Sequence, residues 1–557
     1  MISYKRKKIL LVAAILVGIV GHAQFNGLLQ PIDRSDEFRV IQLTDSAKSI
    51  LNGVAKHSFM LRPFVTTAVK PDRKKIDWGF TSVSYSRYYN DSIGGGYNNE
   101  NFYGATGWQE RISVGARLQY AGFHVQVQPE WVMAQNQQQA MISNEFKDAN
   151  FFSRYYFYNI NTIDLPSRPG TAQIRKLFPG QSFARYEFKN GIAAGISTEN
   201  IWWGPGWRNS LIMTNNAPGF LHAGVQTLKP IETKWGSFEG QALLGWLDSS
   251  GVEPVENVRQ FAEFWPGAYV PKISQSNRGI MGLMFSWQPK WIPNLYIGFA
   301  ASQYFYQQKT DSLDQPFSDY PYTSSPQSKY HATLGSMFMR YVMPGDHTEL
   351  YAEFGRADKV ATLFNLFGDS IPLAYIVGVR KLIPVGANKG FIDLAAEVAH
   401  LQLPDPRLIF TGANPFSIPQ TRSWYTHPRI RQGYTHYGQL LGAGIGPGSN
   451  SQTLNISWVK GFNRVGIRAE RVAHNKDFYY YSNISGNIGA GTHNRYWTDL
   501  SLTLHGQYQW KKLQLAGAIT HLSALNHRWV KVDGAFDGPS TSDKLNLNIS
   551  LNIRYLF

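Results

Sequence analysis

The chain of 557 residues contains no cysteine. Disulfides and a lipid-modified cysteine are both excluded, so stability has to come from burial and hydrogen bonding. Long apolar runs are nearly missing too. The one present, "ILLVAAILVGIV" at residues 9–20, is too short to span a bilayer as a helix. It follows the basic "MISYKRKK" and precedes the small-residue site "GHA", so residues 1–23 read as a secretory signal peptide cleaved near Ala23. Acid is scarce: 38 Asp and Glu stand against 54 Lys and Arg, a net charge of +16. Lys5, Arg6, Lys7 and Lys8 leave with the signal, which makes the mature chain 16 − 4 = +12. A basic exported protein attracts polyanions such as acidic polysaccharide or lipid phosphate. A scattered surface excess fits the same number, and nucleic acid is not an expected partner in that compartment.

Aromatic residues and glycine are abundant: 16 Trp, 30 Tyr, 33 Phe and 51 Gly. Export, aromatic richness and modest hydropathy together predict an outer-membrane β-barrel, whose strands alternate apolar outward and polar inward. The final stretch, "LNLNISLNIRYLF", shows that alternation. Leu545, Leu547, Ile549, Leu551, Ile553, Tyr555 and Phe557 alternate with Asn546, Asn548, Ser550, Asn552 and Arg554. A terminal Phe557 on such a strand resembles the signal by which barrel insertion machinery recognises its clients.

Other hairpins follow the same rhythm. Ile112, Val114, Leu118 and Tyr120 precede a turn at Ala121-Gly122, then Phe123, Val125 and Val127. Leu500 to Trp510 turns at Lys511-Lys512 into Leu513 and Leu515, and Leu454, Ile456 and Trp458 turn into Val465 and Ile467. Another hairpin turns at "QPKWIPN", with Trp287 and Trp291 placed like interface aromatics. Glu110, Glu130, Glu187 and Glu199 read as lumen carboxylates beside Arg111, Arg117 and Arg185. Segments 133–180, 250–278, 306–330, 401–432, 472–495 and 521–543 read as the long outward loops. Residues 24–75 read as a periplasmic segment with one or two short helices. The all-β transmembrane barrel then covers residues 76–557, with about eighteen antiparallel strands.

Two segments could carry function. "GISTENIWWGPGWRNSLIMTNNAPGF" packs Trp202, Trp203 and Trp207 around Gly204-Pro205-Gly206, followed by Arg208, Asn215 and Asn216. Flat aromatic faces beside amide and guanidinium groups suit carbohydrate; an interface belt with a Gly-Pro-Gly turn fits equally. "RIRQGYTHYGQLLGAGIGPGSNSQTL" places Arg429, Arg431, Tyr434 and His436 before the Gly-rich stretch 442–448. No Lys-Ser/Thr follows those glycines, so this is a tight bend rather than a phosphate loop. No catalytic set, metal-ligand spacing or cofactor motif stands out among the His, Ser and acidic residues.

The two segments also resemble a known family. "WWGPGWRNSLIMTNNAPGF" is similar to the signature of the Wzi-like capsule assembly family, and "GYTHYGQLLGAGIGPGSNSQ" to its later block. Trp202, Trp203, Trp207, Arg208, Asn215 and Asn216 match the first, and Tyr434, His436, Gly438 and Gly442 the second. The resemblance implies a barrel of about eighteen strands with a small helical periplasmic element. It also implies a lectin-like, non-enzymatic role in holding capsular or exopolysaccharide at the cell surface. The resulting expectation is a monomer in the outer membrane of a Gram-negative bacterium, in contact with membrane lipid and acidic glycan. An outer-membrane channel or export pore, and a barrel enzyme acting on lipid or glycan, stay open as alternatives.

Overall fold

A computed structural model describes residues 35–44, 58–59, 75–137, 163–166, 168–252, 278–306, 331–357, 372–386, 389–403, 423–427, 430–477, 497–527 and 543–557. The signal peptide, Arg429 and most of the long-loop segments lie outside them. Eighteen strands run antiparallel and close on themselves. They are β1 (Asp77–Asn90), β2 (Gly107–Tyr120), β3 (Phe123–Val127 and Glu130–Ala134), β4 (Ile174–Phe178 and Phe183–Glu187), β5 (Ile192–Ser197) and β6 (His222–Thr227 and Ile231–Thr233). Next come β7 (Gly236–Leu247), β8 (Arg278–Pro289), β9 (Leu295–Tyr306), β10 (His331–Met343), β11 (Thr348–Ala357), β12 (Leu373–Pro384) and β13 (Phe391–His400). The last five are β14 (Asn450–Lys460), β15 (Asn463–Ala473), β16 (Thr498–Trp510), β17 (Leu513–Leu525) and β18 (Lys544–Leu556). The terminal strand closes the barrel against β1, from Ser82 opposite Leu556 to Asn90 opposite Asn548.

Three strands are interrupted, and each gap contains a proline: Pro129 in β3, Pro179 in β4 and Pro230 in β6. Proline has no N–H to give the ladder, so pairing stops there and resumes beyond it. The tight turns match the sequence reading. Tyr120 pairs with Phe123 across Ala121-Gly122, whose φ values of 53° and 91° make a hairpin turn of the primed kind.

The alternation sorts the two faces. In β2, Gln109, Arg111, Ser113 and Arg117 are buried toward the lumen, while Ile112, Val114 and Leu118 are exposed on the lipid side. Glu110 departs from its expected position. It shares the outer face with Ile112, where its carboxylate lies 3.6 Å from Arg87. A residue adjacent to lumen-facing Arg111 has to point the other way. Exposed Trp78, Trp235, Trp291 and Trp510 mark the short-turn end, as an interface belt does.

One helix, α1 (Ser35–Thr44), lies inside the barrel mouth at the short-turn end. Phe38, Val40 and Leu43 are buried, and the orphan Leu43 carbonyl accepts from His347 Nδ1 at 2.7 Å. Arg39 bonds Glu349 at 3.0 Å, and Arg340 holds the other carboxylate oxygen at 2.8 and 2.6 Å. Asp36 pairs with Arg380 and Arg464, and Arg380 also holds Asp393. Buried charges of this kind are tolerated only when each is paired and hydrogen-bonded. Arg39→Leu therefore removes the helix's main polar tether. Amide exchange over residues 38–44 should rise roughly 10- to 100-fold, from the loss of about 1.5–3 kcal/mol. Unchanged exchange would show that apolar packing alone docks the helix.

Candidate functional site

Both motif segments leave the barrel wall at the long-loop end and fold back into the lumen. The first connects β5 to β6, and the second connects β13 to β14. There they pack on each other. The Thr214 amide donates to the Leu441 carbonyl at 2.7 Å, and its hydroxyl to that of Gly442 at 2.7 Å. Asn216 Nδ2 donates to the Leu440 carbonyl at 3.0 Å. The Tyr425 hydroxyl donates to the Leu211 carbonyl and accepts from the Ala443 amide, both at 2.7 Å.

Glycine allows this approach. A Cβ on Gly442 would stand 2.2 Å from the Tyr425 hydroxyl and 2.6 Å from the Leu211 carbonyl. One on Gly444 would stand 2.3 Å from Tyr97 Cβ. Gly442→Ala should therefore push the segments apart at a cost of about 1–3 kcal/mol, read as a lower temperature for loss of the folded barrel on gels. An unchanged transition would mean that the contact yields freely. Two residues, Tyr437 and Gly438, turn a short hairpin in which Thr435 pairs with Leu440. Their φ values of 48° and 73° place both in the left-handed region.

Carboxylates on the wall hold the first motif. Glu397 accepts from the amides of Trp207 and Arg208 at 3.0 and 3.1 Å, from Asn209 Nδ2 at 3.0 Å, and from the Tyr351 hydroxyl at 2.8 Å. Glu470 grips the Arg208 guanidinium with both oxygens at 3.0 Å, and the Tyr97 ring centroid lies 4.1 Å from the guanidinium carbon while its hydroxyl donates to Glu470. The Glu470 charge holds Arg208 protonated, well above its ordinary range, against the desolvation that opposes it. Burial raises the Tyr97 hydroxyl in turn.

Each candidate side chain has a definite place. Trp203 is fully buried, donates from Nε1 to Gln241 at 2.9 Å, and lies over Gly282. Trp202 is half-buried, with its indole N–H on the Gly206 carbonyl at 3.2 Å. Trp207 is also half-buried. None of the three lies on the lipid-facing wall. Asn215 gives its carbonyl to the Glu100 amide at 2.8 Å, and Asn216 Oδ1 accepts from Asn98. Tyr434 is buried and stacks on Tyr425 at 5.7 Å. The Arg431 amide donates to the Tyr306 hydroxyl at 3.1 Å. Among the described residues no cluster of three metal-ligating side chains occurs. Glu397, Glu470 and Arg39 as motif partners were not legible in the sequence. Each lies far along the chain from the loops it holds, and Arg39 reaches the Pro205 and Gly206 carbonyls from the opposite end of the barrel.

His436 is buried, and its Nδ1 accepts from the Asp248 amide at 3.0 Å. Burial first, then the charges of Arg278 and Lys176, push its pKa well below the ordinary value. The undocked loop takes a proton near pH 6.5 and the docked loop does not, so docking weakens as pH falls below about 6.5. Asp477 opposes this. Burial raises its carboxyl to about 6, so docking around it weakens as pH rises from about 4 to 6. Exchange of residues 430–442, corrected for intrinsic rate, should be faster at pH 5 than at pH 7.5, and His436→Gln should remove that difference. An equal difference in the variant would assign it to another group.

The profile of the capsule assembly protein Wzi family matches residues 96–519, a span that contains both motifs. No curated protein sequence matches the chain. Among solved structures, one similar fold is Wzi of Escherichia coli, described as a carbohydrate-binding β-barrel involved in group 1 capsule assembly. It has a TM-score of 0.56 at 13% identity, over 95% of this chain and 99% of that one. OccAB2 of Acinetobacter baumannii gives 0.39 at 11% identity, over 86% and 98% of the two chains. OccK5 of Pseudomonas aeruginosa gives 0.36 at 11%, over 86% and 97%.

Proposed function

The chain belongs to the capsule assembly protein Wzi family, and from that premise we propose that it is a non-enzymatic outer-membrane barrel that binds exported capsular or exopolysaccharide and helps attach it to the cell surface. The observation that carries this reading is the mutual packing of the two family motifs inside the lumen, anchored on Glu397 and Glu470. A diffusion channel needs an open lumen, whereas this one holds two inward segments and a helix.

In this reading the motif residues divide by enclosure. Trp203, Asn216, Tyr434 and His436 are buried and frame the outer end of the barrel, where Glu470 also ties the partly enclosed Arg208. Trp202, Trp207, Asn215 and Arg431 keep part of their surface free and, with Arg429, are the candidates for glycan contact. Each such contact is weak, and a repeating polymer makes many of them at once. The basic balance favours acidic glycan. The protein acts as a monomer, loses its signal peptide near Ala23, and presents Phe557 to the insertion machinery. Binding of the purified protein to polysaccharide from its own strain tests this reading. Affinity should fall steeply as the screening length shrinks from about 10 Å at 0.1 M salt to about 3 Å at 1 M. Absence of binding would refute the reading, and binding indifferent to salt would refute its electrostatic part.

A further inference from the structure

The lipid-facing wall is not smooth. Strands β11 to β17 carry a concavity of about 830 Å³ on the outer surface, within the size range of about 300–1,000 Å³ typical of small-molecule sites. One laterally paired row crosses it. The short side chains of Ala396 and Ala469 sit between the longer Val379, Leu454 and Leu502. The row nearer the long-loop end is mixed: Gln452 stands opposite Arg471 between Val398 and Leu500, with Ser523 two strands on from Arg471.

Arg471 is the unusual member. Its Nη1 donates to Asn450 Oδ1 at 3.0 Å and to Gln452 Oε1 at 2.8 Å. Among the described residues it has no carboxylate partner. The neighbouring acids are already engaged, Glu470 by Arg208 and Asp499 by His474. Lys476 lies close enough for the Arg471 charge to add to burial in lowering its pKa. Arg471 therefore stands at the outer-leaflet edge of an apolar groove with no carboxylate partner among the described residues.

We propose that this groove is a specific site for an acyl lipid with an anionic phosphate head group in the outer leaflet. The acyl chains fill the groove over Ala396 and Ala469, and Arg471, supported by Gln452, binds the phosphate. Arginine suits this role because its planar fork matches two phosphate oxygens. Unlike general annular contact, such a site selects by head-group charge.

Native mass spectrometry of the detergent-purified full chain tests it, after incubation with mixed micelles of phosphatidylglycerol or of phosphatidylcholine with the same chains. One phosphatidylglycerol should be retained per barrel, in preference to phosphatidylcholine. Arg471→Gln should lower its occupancy about fivefold, the effect of one cation at a membrane surface. Ala469→Trp, which fills the groove from the lipid side, should abolish retention and carries the test if Arg471→Gln does not fold. Equal retention of both lipids, unchanged occupancy in the folded variants, or a second copy of the chain in place of lipid would overturn the proposal.

Discussion

Glu397→Ala is expected to release the first motif from the barrel wall. The carboxylate accepts four hydrogen bonds, two of them from the Trp207 and Arg208 backbone amides. Alanine leaves the four donors without this acceptor, the Asn209 amide and Tyr351 hydroxyl fully buried and the two backbone amides partly so. Each stranded buried donor costs about 1–3 kcal/mol, more than a mean hydrogen bond, because it keeps its desolvation penalty. Amide exchange across residues 203–216 should rise at least about 100-fold. The barrel ladders do not depend on this contact, so the strands should stay protected. Glu397→Gln separates charge from shape, since its amide oxygen still accepts while its NH₂ faces donors. An intermediate effect is expected. If alanine and wild type exchange alike, the wall carboxylate does not hold the loop.

Trp203→Ala carries the second large effect. The indole is fully buried between the first motif and the wall, where Gly282 leaves room for the ring. Truncating a core tryptophan costs about 3–5 kcal/mol through lost transfer energy and the cavity left behind. It also removes the indole N–H bond to Gln241 Oε1. Trp203→Phe keeps most of the volume and loses about 1 kcal/mol for the hydrogen bond. The alanine variant should show brief openings in planar bilayers, where wild type is expected to show no steady open level. Silent traces from the alanine variant, with its folded barrel confirmed on gels, would show that the lumen stays blocked without this contact.

Much of the barrel was readable in the sequence because lipid and lumen impose opposite chemistry on alternate residues. The alternation from Leu545 to Phe557 and the turns at Ala121-Gly122 and Lys511-Lys512 reappear in the ladders. Glu110 was misplaced because its type was read as lumenal where its parity put it outside. Residues 195–220 were recognisable as a motif, yet a polar, glycine-rich stretch does not reveal whether it folds inward or outward. That is decided by Glu397 and Glu470, whose sequence separation from the loop exceeds any local pattern. The helix was legible only as apolar spacing within residues 24–75. Its seat inside the barrel mouth depends on Arg39 meeting Glu349, 310 positions away.

Attachment of exported polysaccharide is the role proposed for this barrel. It is tested most directly by measuring how that polymer divides between cells and medium, in wild type, in a strain lacking the gene, and in the complemented strain. Without the protein, polymer is expected to move into the medium while the total stays constant, and to return on complementation. Attached and free amounts that stay unchanged, or a fall in total polymer, would contradict it.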